Sequence, residues 1–111
     1  MPLASQFTPD ITITDAGLDL RPYGVEAQVI HTPGHTPGSL SVLCADGGAI
    51  VADLIMPRIP FMRQPGMPFI ADDPVQLRAS VARVLAARPT VLICSHGCPF
   101  TPAAVARAFR L

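Results

Sequence analysis

The nine residues His31-Thr32-Pro33-Gly34-His35-Thr36-Pro37-Gly38-Ser39 limit what this chain can fold into more than any other stretch. Proline lacks an amide donor and glycine loses chain entropy when ordered, so neither a helix nor a strand interior accommodates the segment. It is a shaped turn. Val25 to Ile30 alternates into it and Leu40 to Cys44 leaves it, both strand-like, so the spacing predicts a turn at strand ends that carries two imidazoles. Such a position suits a metal ligand. It equally suits histidines that only hydrogen-bond neighbouring carbonyls. A helical pair of zinc-binding histidines four residues apart is excluded by Pro33 between them, so His31 and His35 have different roles.

With 111 residues the chain is read as one domain, 1–111. Half of the residues are hydrophobic and 14% charged, which is apolar for a short chain and predicts burial of some surface against a partner. Eight arginines balance eight acidic residues, so no basic patch points to nucleic acid. No apolar run approaches the roughly 18 residues that cross a bilayer, and the first residues lack a signal-peptide pattern. We therefore expect a cytoplasmic protein without a membrane partner. Three cysteines, an odd number, do not read as a disulfide framework.

Taken in order, residues 1–10 read as a loose arm, Ile11 to Thr14 and Leu18 to Leu20 as short strands, and Asp46-Gly47-Gly48 as a hairpin turn between Leu40–Ala45 and Ala49–Ala52. Asp53 follows that second strand. From Leu54 to Asp73 four prolines, three methionines and two phenylalanines, among them Pro60, Phe61, Met62 and Phe69, show no periodicity, which predicts a long loop with a functional or interfacial role. Asp73-Pro74 and Thr101-Pro102 each open a helix, near 74–88 and 102–110, with Leu77, Val81, Val84 and Leu85 on the apolar stripe of the first. Arg107 and Arg110 sit at the negative end of the second. Thr90 to Cys94 reads as a buried strand delivering His96.

Three strand ends thus carry His35, Asp53 and His96, each beside a small residue. Two imidazoles and a carboxylate are a donor set used at catalytic metal sites, where an ion brings the pKa of a bound water toward about 7 for hydrolysis. On these residues the chain resembles the metallo-β-lactamase superfamily, including its glyoxalase II-like hydrolases, from about Ile11 onward. Val29 to Ser39 is the most specific stretch of the match. The resemblance implies an α/β fold, half of an αββα sandwich, with a mostly antiparallel sheet and helices on one face. It also implies that His35 ligates one metal, Asp53 bridges two and takes the catalytic role, His96 ligates the second, and His31 ligates none. The ions implied are zinc, or manganese or iron, one or two of them, shared with a partner subunit.

The departures bear on activity. The H-x-H-x-D-H motif of the first half has no counterpart among His31, His35 and His96, so we expect that half to be missing. Ala52 and Ser95 stand where the family has glycines. The expected partner is a second copy, in an obligate homodimer that meets near Leu54–Phe69, or a separate chain supplying the absent half. The alternative is a non-catalytic remnant that dimerises through an exposed sheet. Cys94 is expected to point into the core, and Cys98 is a candidate fourth ligand.

Overall fold

The structure is a computed structural model that describes residues 8–58, 64–68, 70–97 and 99–111. In chain order the elements are β1 (Leu18–Asp19), a 3-10 turn (Arg21–Tyr23), β2 (Ala27–His31), β3 (Leu40–Cys44), β4 (Gly48–Ala52), β5 (Met56–Pro57), β6 (Pro65–Gly66), α1 (Pro74–Ala86), β7 (Val91–Cys94) and α2 (Pro102–Phe109). Five strands form one sheet in the order β1-β2-β3-β4-β7, antiparallel except for the β4–β7 pair. The short β5–β6 pair forms a second, antiparallel ribbon.

Side chains alternate across a strand, so the sheet has two distinct faces. Ala49 and Val51 of β4 and Leu92 of β7 pack with Leu77, Val81 and Val84 of α1 and with Val105 and Phe109 of α2, forming the core. Both helices therefore lie on one face. On the opposite face the register aligns Leu18, Val29, Val42, Ile50 and Ile93 in one apolar row across all five strands. Ile50 and Ile93 remain 44% and 41% exposed.

Both helices begin as the sequence predicts. Asp73 accepts from the Gln76 amide and Thr101 from the Ala104 amide, with Pro74 and Pro102 in the first turn. The end of α2 is held by a cation from the other helix: Arg78 donates to the carbonyls of Phe109 and Arg110 at 2.9 and 2.7 Å. Asp46 caps the β3–β4 turn by accepting from the Gly48 amide.

Four expectations need correction. Residues 11–14 are not a strand, because the sheet ends at β1 and gives them no partner. The Leu18–Leu20 strand stops at Asp19, whose carboxylate accepts from Arg21 and leads into the 3-10 turn. β7 is buried on one face only, since it borders β4 at the sheet margin and the helices cover a single side. The 54–73 stretch is no featureless loop: Leu54 and Ile55 are in the core, and β5 and β6 pair with prolines in both strands. Pro60, Phe61, Met62, Phe69 and Cys98, and the first seven residues of the expected arm, lie outside the described residues. Cys94 packs partly buried against the core.

Candidate metal centre

His35 is held by a turn that α1 grips along its length. The Thr32 amide donates to the Ser39 carbonyl and closes the base of the turn, while the Thr36 and Ser39 hydroxyls bond at 2.8 Å inside it. The Asp73 and Asp72 amides donate to the carbonyls of Gly34 and His35, and Ser80 Oγ donates to that of Pro33 at 2.7 Å. Gly34 has φ +143°, and a Cβ there would stand 2.2 Å from the Leu77 Cα. Glycine is thus required both by conformation and by the approach of the helix.

Asp53 and His96 come together because β4 and β7 run parallel and end side by side. Ala52 pairs with Cys94, and the Ser95 amide donates to the Ala52 carbonyl at 3.1 Å. A register shift between Ile50 and Ala52 swings the chain out of the strand, and Ala52 takes φ +50° to do so. Leu54 and Ile55, fully buried just beyond, anchor the turn that presents Asp53.

The three predicted residues meet around the Asp53 carboxylate. His35 Nε2 lies 3.7 Å from Asp53 Oδ2, and His96 Nε2 lies 3.7 Å from Asp53 Oδ1. Both separations exceed hydrogen-bond reach. His35 Nδ1 is 2.7 Å from the Ile70 carbonyl, which only accepts, so Nδ1 carries a proton, and in the neutral ring the Nε2 lone pair is the one that faces the carboxylate. Among the described residues Asp53 Oδ1 is buried without a hydrogen-bond partner. A buried carboxylate oxygen left unpaired is costly, and a cation held between it and the facing imidazole would satisfy both.

The donors form two imidazole–carboxylate pairs that share Asp53, one on each oxygen. Among the described residues no group of three His, Cys, Asp or Glu side chains closes up as a single metal-holding cluster. A small divalent ion takes donors at about 2.0–2.2 Å, so two donors a little over 3 Å apart can share it, and the observed pairs lie close to that spacing. The donor chemistry fits a divalent ion on either side, with two protein donors for each.

His31, expected to be no ligand, stands away from this group with its ring bonded to Asp15 and to the Pro37 carbonyl. Two features were beyond sequence reasoning. The Ile70 carbonyl, which fixes the His35 tautomer, is a backbone group with no side-chain signal, and Asp15 lies 16 residues from its imidazole partner.

No family model matches the sequence, and no curated protein matches it. Solved structures do. The chain is similar to an archaeal metallo-beta-lactamase superfamily protein, ST1585 from Sulfolobus tokodaii, at 22% identity and TM-score 0.61, over 76% of this chain and 33% of that one. It is similar to TTHA1623, solved in a di-iron-bound form, at 30% identity and TM-score 0.56, over 75% of this chain and 41% of that one. With VMB-1 the identity is 16% and the TM-score 0.65, over 89% of this chain and 45% of the other. The chain thus spans between a third and just under half of the length of these structures.

Proposed function

Because this chain is a partial domain of the metallo-β-lactamase superfamily, we propose that it binds divalent metal through His35, Asp53 and His96 as part of a metal-dependent hydrolase site. The observation that carries this reading is the Asp53 carboxylate, with one buried oxygen unpaired and an imidazole nitrogen facing each oxygen. Zinc fits the mixed nitrogen and oxygen donors, as do iron and manganese. The di-iron form of TTHA1623 supports a centre with room for two ions.

The ion would supply Lewis acidity and an activated water. The chain's own contribution is positional. Ile70 holds His35 in the tautomer with Nε2 available, and the β4–β7 pairing sets Asp53 and His96 side by side. Asp53, with one oxygen toward each imidazole, would be the residue shared between the two donor pairs. Two protein donors for each ion would fall short of the three that catalytic sites use, so turnover would need further donors from outside these residues, and a second copy or a separate chain is the source we propose. The uncovered apolar row of the sheet supports such pairing and also the alternative, a non-catalytic module that associates through that face. We place the protein in the cytoplasm, on its odd cysteine count; among the described residues no helix is long and apolar enough to cross a membrane.

The test is metal content and zinc affinity of the purified chain, followed by thioester, lactone, β-lactam and phosphodiester substrates with zinc, manganese or iron supplied. Stoichiometric metal lost in Asp53→Asn supports the centre. No metal after supplementation overturns it. Metal-dependent turnover abolished by Asp53→Asn selects the hydrolase, whereas metal binding with a blank panel selects the non-catalytic module.

A further inference from the structure

Both ring nitrogens of His31 face hydrogen-bond acceptors. Nδ1 lies 2.7 Å from Asp15 Oδ1, in the turn before β1, and Nε2 lies 2.7 Å from the Pro37 carbonyl, on the far limb of the 32–39 turn. A carbonyl only accepts, and so does an ionised carboxylate, so a ring with one proton satisfies only one of these partners. The imidazolium, with a proton on each nitrogen, satisfies both. From α1 the charged group facing this residue is Arg83, whose guanidinium donates to the His31 carbonyl at 2.7 Å. The Asp15 hydrogen bond, reinforced by that to Pro37, raises the His31 pKa above the ordinary imidazole value against the opposing charge of Arg83. The same bond lowers Asp15 below the usual carboxylate value.

The ring therefore spans the turn that carries His35 and braces it from outside, while α1 grips it from within. We propose that His31 is a positioning residue for His35: its two-armed bridge from Asp15 to the Pro37 carbonyl fixes the direction in which His35 faces Asp53. This rests on the metal-centre reading above. The brace is complete below the ordinary imidazole pKa of about 6.5 and loses one of its two arms as pH rises through the raised folded value.

The test compares the full chain with His31→Gln and Asp15→Asn. It uses nitrogen-15 NMR titration of the imidazoles, amide-exchange protection of Gly34 and Ser39 in metal-free protein between pH 5 and about pH 9, and competition titration with zinc ion. His31→Gln keeps a donor but cannot fill both arms, and its zinc affinity should fall about 10-fold, less than for loss of His35. Asp15→Asn should lower the His31 titration midpoint and move the pH at which turn protection falls by the same amount, which a merely space-filling residue would not do. The proposal is overturned if His31 titrates at its ordinary value with pH-independent turn protection, or if His31→Gln binds zinc within twofold of the parent. Should the parent bind no zinc, the metal-centre reading fails by itself, and the brace stands or falls on the titration and exchange results.

Discussion

Ala52 occupies the left-handed region at φ +50°, immediately before Asp53. An L-residue with a Cβ is strained there by about 1 kcal/mol, while glycine is not. The chain keeps that cost at the position that turns the carboxylate out of β4. Glycine's entropic cost of about 0.5–1 kcal/mol offsets most of that relief, so Ala52→Gly should stabilise the protein by at most about 0.5 kcal/mol, measured as a denaturant midpoint equal to or slightly above the parent's with an unchanged slope. At Asp53 stability and function should separate. Its Oδ1 is buried and has no hydrogen-bond partner among the described residues, so Asp53→Asn removes a carboxylate that this chain leaves unsatisfied. The expected outcome is an unfolding midpoint no lower than the parent's, together with zinc affinity reduced by about 100-fold or more if Asp53 is the shared donor proposed above. The His31–Asp15 pair gives opposite pH dependences. The raised His31 pKa contributes stability that is present below about pH 6.5 and lost as pH rises through the folded value; the lowered Asp15 pKa contributes stability lost as pH falls through its folded value. Thermal midpoints should fall on both sides of a plateau, and Asp15→Asn should remove the acid slope and flatten, but not abolish, the alkaline one, because the Pro37 hydrogen bond to His31 remains.

Between elements, the decisive contact is the seam of α1 on the 32–39 turn. Asp73, Leu77, Ser80 and Arg83 follow one another at helical spacing and meet Gly34, Pro33 and His31 in reverse chain order. Gly34→Ala would drive a methyl group into the Leu77 backbone at a φ that alanine avoids, and should cost about 3 kcal/mol. Ser80→Ala would leave the buried Pro33 carbonyl without its donor and should cost about 1–2 kcal/mol, seen in the same denaturant melts. Both should also loosen zinc binding, because the seam orients His35. Much of this was legible: the turn from its prolines and glycines, α1 and α2 from Asp73-Pro74 and Thr101-Pro102, and the grouping of His35, Asp53 and His96 from their places at strand ends. What was not legible has physical reasons. The β5–β6 ribbon is hidden because proline supplies no ladder donor and masks strand periodicity. Residues 11–14 alternate like a strand, but alternation cannot show that the sheet holds no partner for them. Arg78 as the cap of α2, and Ser80 and Arg83 as the grip on the turn, follow from tertiary placement alone.

For the molecule as a whole, the sheet face that no described helix covers is the surface on which self-association would depend. Leu18, Val29, Val42, Ile50 and Ile93 cross all five strands in register, while both helices occupy the other side. The expected contact region near Leu54–Phe69 is a weaker candidate than this face, because Leu54, Ile55, Pro57, Pro65 and Pro68 are buried within their own chain. Complete burial of a large aliphatic side chain is worth about 1.5–3 kcal/mol, so covering the 44% and 41% of Ile50 and Ile93 still exposed contributes about 1 kcal/mol each. Doubled by two-fold symmetry that is about 4 kcal/mol, at the lower end of the roughly 4–15 kcal/mol that association costs. The isoleucines alone do not hold a dimer together, and the half-buried Leu18, Val29 and Val42 must add to them. Self-association through this face should therefore be concentration-dependent rather than obligate. Sedimentation velocity across a range of protein concentrations should show a monomer–dimer shift that zinc strengthens, if ions bridge the copies. Ile50→Lys with Ile93→Lys should hold the chain monomeric while leaving its fold, read by far-UV circular dichroism, intact. A parent chain that stays monomeric at high concentration with zinc present would count against self-pairing and favour a separate chain as the partner of this face.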